Sequence, residues 1–406
     1  MTATEDNKFS AADSIVGYLY QVRTALLWSL RKLPSGMDFL VSLETLDDVT
    51  FDSKDGTPQE LLQTKHHCTR EATVTDASTD LWKSLRIWLE AHADGKIGAG
   101  TALYLLTTAR APDGSAAAYL RLNGRSVDAA LRALESTAQT SRNRSNEAAY
   151  DRFLKTPAPA RKAIINEVVV LDSAPVIEDL DQALRAVVFA AAERKHLDAF
   201  LQRLEGWWIR RILRQIVTPG DRVLADELES QMTDLREQFK QDALPIDEDV
   251  LNYTLDDATQ ETHSRSIFVR QVELTKAARK RVLAAVRDYY RAFEQRSRWI
   301  REDLVLVGEV SKFEKKLVEE WELAFAAMED KCGKDAAEET KERLARELLE
   351  WAEQTAPVRL PIRPRVTEPF VTRGSLHMLA DKVRVGWHPD FRARLSALLE
   401  TMVGTA

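Results

Sequence analysis

The sequence predicts a chain in two parts: an α/β N-terminal region, with a mixed central sheet flanked by helices, and a mainly α-helical C-terminal region. Three observations carry this. Helical and strand periodicities alternate from residue 10 to about 215. Beyond that point, 221–240 and 269–353 are dominated by Ala, Glu, Arg, Lys and Leu, and no strand pattern appears until about 356. The 406 residues are 44% hydrophobic and 30% charged, enough apolar material for more than one core and enough charge for long helices with wet faces. The boundaries predicted are 1–215 for the α/β domain, 216–268 for a helical and acidic linker, and 269–406 for the helical domain.

Residues 1–10 read as a loose tail. A helix follows from Ala11, with an apolar stripe at Ile15, Tyr18, Leu19, Val22, Leu26 and Leu30, and Pro34-Ser35-Gly36 ends it. MDFLVSLET and LDDVTFD read as strands, SKDG as a turn, and QELLQTKHH as the next strand. A second helix covers VTDASTDLWKSLRIWLEAHADGK, with Ser78 or Thr79 at its N-cap and Asp80 in the first turn. Trp82 and Trp88 in it read as core-facing in preference to base-stacking. TALYLLTTA and Ile164–Asp172 have the continuous apolar character of buried strands. Helices are expected at about 125–139, 145–153, 179–217 and 390–402, and the prolines of APVRLPIRPRV should end the long helices.

Charge and cysteine content narrow the function. A net charge of -7 argues against a constitutive nonspecific DNA binder, which is usually basic. The two cysteines, Cys68 and Cys332, give no disulfide framework, so a reducing cytoplasm is the expected location. His66-His67-Cys68 lacks the further ligands of a zinc site. The N-terminus does not read as a signal peptide, no apolar run is long enough to span a membrane, and no glycine-rich phosphate loop is present. Any nucleotide-driven step would come from a partner.

The chemistry is concentrated in SLETLDDVTF and LLQTKHH. Alternate strand residues share a face, so Gln63 and Lys65 project together. Asp48 precedes Gln63 by the span of two antiparallel strands joined at Asp55-Gly56. A carboxylate and an amide oxygen suit a hard cation such as Mg²⁺, beside a lysine able to orient water or offset charge. The spacing leaves open whether Asp47 or Asp48 faces the site. Asp48 is preferred because it should open the second strand, leaving Asp47 in the turn.

This pattern resembles the PD-(D/E)xK nuclease superfamily in its QxK variant. With GYLYQ (Gly17–Gln21), SLETLDDV, LLQTKHH and TDASTDLWKSLRIW (Thr75–Trp88), it is similar to the endonuclease domain of CBASS and Lamassu anti-phage effectors. RGSLHMLADKVRVGWHPDF (Arg373–Phe391) resembles the C-terminal domain of ABC-three-component system proteins. The resemblance implies a restriction-endonuclease-like fold and metal-dependent cleavage of double-stranded DNA. Asp48, Gln63 and Glu44 would be at a Mg²⁺ or Mn²⁺ ion, Lys65 would be catalytic, and Gln21 would reach in from the first helix. It further implies an SMC-like ABC ATPase and a small middle subunit as partners, with activation by release or homo-oligomerisation. Gln63 departs from the commoner Glu and removes one negative charge. That keeps a second reading open, a non-catalytic adaptor on a decayed nuclease fold. Lys83, Arg86, His66, Arg121 and Arg125 are candidate DNA contacts, with Arg142 and Arg144 as further ones. Arg270–Arg301 is the most basic stretch, suited to DNA or to an acidic partner, or else simply solvated.

Overall fold

A computed structural model describes residues 11–67, 72–263, 266–333 and 335–403, with side chains from 14 to 397. The proposed N-terminal tail and Cys68 lie outside the described residues. The chain forms two compact units. The first comprises residues up to 191 together with 197–234, and the second comprises 192–196 and everything from 235 on.

In the first unit, α1 (Ala11–Lys32) leads into β1 (Leu40–Leu43), β2 (Val49–Asp52) and β3 (Pro58–Lys65). Then come α2 (Thr79–Ala93), β4 (Ala102–Thr107), α3 (Ala116–Tyr119), α4 (Val127–Thr140), α5 (Glu147–Lys155) and α6 (Ala158–Glu167). The unit continues with β5 (Val168–Leu171), α7 (Leu180–Val187), α8 (Leu197–Val217), β6 (Val223–Leu224) and α9 (Ala225–Gln238), within which the division between units falls. The strand order is β5-β4-β3-β2-β1-β6. β1 to β3 form an antiparallel meander, and β3, β4 and β5 run parallel. The β2–β3 turn is where the sequence places it: Gly56 takes φ 84° and donates its N–H to Ser53 O at 2.8 Å. That left-handed conformation suits a residue without a Cβ.

The two faces of β3 bury different things. Leu61 joins a core with Leu81, Leu85 and Trp88 of α2 and with Leu103, Leu105, Val168 and Val170 of β4 and β5. On the opposite face Glu60 accepts from Trp28 Nε1 at 3.1 Å, and His66 lies on Tyr20 with ring centroids 4.8 Å apart, both partners on α1. Period-two alternation therefore sends Gln63 and Lys65 toward α2. Trp82 and Trp88 are fully buried, as core residues.

Several expectations shift. On α1, Ile15 and Leu19 are 59% and 38% exposed, while Tyr20, Ala25 and Leu27 join Val22, Leu26 and Leu30 in the core. Ile164–Glu167 ends α6 rather than opening a strand, so β5 is only four residues long. β6 is a strand where none was expected, paired with β1 through Val41↔Val223.

The second unit is helical: α10 (Glu248–Leu251), α11 (Asp257–His263), α12 (Ile267–Leu274), α13 (Arg279–Arg301), α14 (Glu309–Cys332), α15 (Glu338–Glu350), α16 (Ala356–Arg359), α17 (Pro369–Asp381) and α18 (Phe391–Val403). The stretch read as a linker thus contains ordered helices. α15 runs on through a π-helical segment, Trp351–Thr355, into α16, so Pro357 does not stop it. Proline has no N–H for a helical bond, and the wider turn immediately before it accommodates the loss. α13 and α17 pack closely at Gly374, where an added Cβ would lie 2.0 Å from Asp288 O. Gly386 packs against the Phe391 ring, and its carbonyl accepts from Trp321 Nε1 at 2.9 Å. The basic residues of α13 are largely paired inside this unit. Arg296 reaches Glu314 and Ser375, Arg298 holds Asp249 through two bonds, and Arg281 bonds Glu353.

Candidate functional site

The site begins where β3 outruns β2. Their pairing starts at Val49↔Leu62, so Gln63–Lys65 pair only with β4, through Gln63↔Leu105 to Lys65↔Thr107. Thr64 N–H is left open on the β2 side, and Asp48 Oδ2 fills the gap. It accepts from Thr64 N at 2.7 Å and from the Thr64 hydroxyl at 3.2 Å. Asp48 does not open β2, as the sequence suggested; it shares the bend of residues 44–48 with Asp47. The bend starts at Glu44, held at φ 54°. For a residue with a Cβ this left-handed conformation costs about 1–2 kcal/mol, and strain of this kind gathers at functional sites.

Lys65 Nζ donates to Gln63 Oε1 at 2.6 Å and lies 3.7 Å from Asp48 Oδ2. The Lys65 and Asp48 side chains are each 14% exposed, so both are sheltered yet reachable. The Gln63 amide nitrogen donates to Asp47 Oδ1 and, at 3.3 Å, to Asp48 Oδ1. Asp47 itself is only 6% exposed. Its Oδ2 accepts from Trp88 Nε1 at 2.7 Å, and its Oδ1 from Asp48 N–H at 2.9 Å.

Helix α2 forms the wall opposite β3. Asp80, Ser84 and Trp88 recur at four-residue steps and so share one face. From it, Trp88 reaches Asp47, the Ser84 hydroxyl approaches Gln63 Oε1 at 3.5 Å, and Asp80 Oδ2 meets His67 Nε2 at 2.7 Å.

The electrostatics follow from this packing. Burial pushes the Asp47 carboxyl up to about 6, against the opposing bonds from Gln63 and Trp88. Desolvation and the nearby Asp48 charge raise Glu44, while a Gln21 hydrogen bond and the charges of Lys65 and Lys83 pull the other way. The Asp80 hydrogen bond raises His67. Burial acts upward on Asp80, but His67, Lys65 and Lys83 together hold it below the usual carboxylate range.

The structure therefore brings together Glu44, Asp48, Gln63, Lys65 and, through Glu44, Gln21. Lys83 is exposed on α2, and its charge is felt at both Glu44 and Asp80. Arg86 is partly exposed, 3.7 Å from Glu90. His66, Arg121 and Arg125, the other expected DNA contacts of the first rank, bond within the protein's own fold. His66 points to the α1 face, where its Nε2 accepts from Ile177 N–H at 3.3 Å. Arg121 is committed to Asp172, with bonds of 2.9 and 2.8 Å, and to Ala111 O. Arg125 donates to the carbonyls of Leu120, Ile165 and Asn166. These two guanidinium groups hold loops together. Arg142 and Arg144 are exposed. Sequence reasoning missed Asp47 as a buried partner of Gln63, and also Thr64, Asp80 and Ser84, and of the two histidines it chose His66 where His67 is the one that meets Asp80. The four-residue spacing of Asp80, Ser84 and Trp88 was the available signal.

The donor set suits a hard divalent cation. Asp48 and Glu44 offer carboxylate oxygens, and Gln63 Oε1, shared with Lys65, offers a neutral one. Gln21 Oε1 and the Tyr18 hydroxyl, whose helix faces Glu44, are buried without a hydrogen-bond partner. Among the described residues no group of three or more His, Cys, Asp or Glu is placed to hold a metal ion. An ion here would have to rest on one or two carboxylates and keep much of its water, as Mg²⁺ can. His66 and His67 face opposite ways, which disfavours a zinc site there.

Comparison with known proteins bears on the second unit. Residues 268–395, from α12 into α18, match the family model of C-terminal domain 7 of the ABC-three component (ABC-3C) systems. This supports membership of such a system, and with it partner proteins. No curated protein matches the chain. Among the described residues no helix is long and apolar enough to cross a membrane.

Proposed function

We propose that the first unit is a metal-dependent endonuclease of restriction-endonuclease-like fold acting on double-stranded DNA, and that the second docks it to an anti-phage ABC-three-component assembly. The observation that carries this reading is the corner in which Lys65 Nζ lies 2.6 Å from Gln63 Oε1 and 3.7 Å from Asp48 Oδ2, at the open end of β3. Asp48, Gln63 and Glu44 would hold Mg²⁺ or Mn²⁺. The chemistry such a cation supplies when bound is polarisation of a phosphoryl oxygen and easier deprotonation of the attacking water. Lys65 orients that water and offsets charge developing on the phosphoryl group. Lys83 adds positive charge beside it, and the Asp80 hydrogen bond favours the protonated form of His67, where a DNA backbone would approach.

The net charge of -7 fits an enzyme that binds DNA weakly alone and gains avidity in an assembly. Its partners in this reading are an SMC-like ABC ATPase and a small middle subunit. They restrain the nuclease in the cytoplasm until release or homo-oligomerisation activates it. The test is digestion of plasmid and linear duplex DNA by the purified protein at low salt, in Mg²⁺ or EDTA, at low and high protein concentration. Metal-dependent cleavage rising steeply with concentration is expected. Equal cleavage in EDTA would refute the metal requirement.

One observation favours the adaptor reading. Both ends of the Gln63 amide are already satisfied by protein groups, so the corner is self-consistent without an ion. Metal binding separates the two readings.

A further inference from the structure

We infer that Asp47 is a positioning residue: it aims the Gln63 carboxamide so that its oxygen faces Lys65 and Ser84, and it is the reason position 63 carries Gln rather than Glu. An amide can be turned either way, and the neighbours decide. Here Nε2 meets Asp47 Oδ1 and Asp48 Oδ1, while Oε1 meets Lys65 Nζ and the Ser84 hydroxyl. Turned over, the oxygen would face two carboxylates and the NH₂ would face an ammonium group.

Asp47 holds this orientation because it is itself fixed. Trp88 Nε1 occupies its Oδ2 and Asp48 N–H shares its Oδ1, so it offers Gln63 only an acceptor. A Glu at 63 would set a second carboxylate against a buried one, and like charges that close cannot both ionise cheaply. A residue at 63 with N–H groups to donate is therefore what Asp47, already an acceptor for Trp88 and Asp48 N–H, fits. The pair should tolerate exchange of roles, with an amide at 47 donating to a carboxylate at 63. The exchange forfeits some of the bonds Asp47 now accepts, so rescue is partial. The orientation and the coupling stand on the folded geometry alone. Only their catalytic consequence rests on the nuclease reading.

The experiment is a double-mutant cycle on the full chain, read by urea unfolding of wild type, Asp47→Asn, Gln63→Glu and the double variant. Each single change should lower the folding equilibrium constant. The double variant should be at least tenfold more stable than the two losses combined predict, a coupling of about 1.4 kcal/mol. Additive losses would overturn the inference. Should Gln63→Glu be too unstable to purify, Gln63→Met closes the same cycle: Asp47→Asn should then shift stability by a factor at least tenfold different from its effect in wild type, and an unchanged effect overturns the inference. Where the wild type cleaves DNA, the double variant should be more active than Gln63→Glu. A wild type that neither binds Mg²⁺ or Mn²⁺ nor cleaves DNA would fail the nuclease reading and leave the stability cycle intact.

Discussion

Lys65→Ala is expected to lower metal-dependent DNA cleavage by about 10³-fold or more, roughly 4 kcal/mol of transition-state stabilisation. Its ammonium group touches Gln63 and approaches Asp48 in a corner that is 86% shielded from solvent at the lysine side chain. A charge in such surroundings acts more strongly than one in water. The fold should survive, because β3 is held at Lys65 by its backbone pairing to Thr107. Lys65→Arg should not restore activity, since a planar guanidinium cannot replace a compact ammonium at 2.6 Å from an amide oxygen. The measurement is initial cleavage rate together with a thermal melt. Unchanged cleavage by a folded Lys65→Ala protein would remove the lysine from the chemistry.

Gly374→Val is expected to unfold the second unit at much lower denaturant. Even an Ala Cβ would lie 2.0 Å from Asp288 O and 2.4 Å from Ala292 Cβ, so α13 and α17 would have to separate. Overpacking alone costs about 1–3 kcal/mol. Asp288 sits on the same seam, buried and 2.6 Å from Arg373 Nε, and parting the helices breaks that pair. Arg373 is 27% exposed, so water would replace part of that pair, and a total of about 3 kcal/mol is expected. Urea unfolding followed by limited proteolysis reads it. A midpoint equal to wild type would show that the helices yield without loss. Because this unit carries the ABC-three-component match, the same variant should lose the docking proposed for it.

Local pattern made much of this architecture legible. Strand alternation put Gln63 and Lys65 on one face, the SKDG stretch fixed the hairpin, and the apolar neighbours of Trp82 and Trp88 marked a core helix. Failures came where a short pattern admits two structures. Ile164–Glu167 is apolar enough for a strand, but it follows the Pro157-initiated helix and simply continues it. The Ile15–Leu30 stripe had the right period but its first turns face solvent. The proline segment APVRLPIRPRV does end the helix, at Arg359, though Pro357 itself is carried within it by a π turn that sequence does not show. At the site, the QxK pair could be read because its members are two residues apart. The Asp47–Trp88 bond spans 41 residues and depends on how α2 docks, which no local pattern encodes. The internal bonds of Arg121 and Arg125 were illegible for the same reason: a basic side chain does not announce the acceptors its own fold supplies.

The central claim is that the Asp48–Gln63–Lys65 corner is a hydrolytic metal site, and calorimetric titration of Mg²⁺ or Mn²⁺ into wild type and Asp48→Ala tests it most directly. It needs neither DNA nor partners, so restraint by an assembly cannot mask the result. Saturable binding by wild type that Asp48→Ala abolishes is the predicted outcome. Absence of binding to wild type, or equal binding by both proteins, would contradict the claim, and absence would leave the adaptor reading in its place.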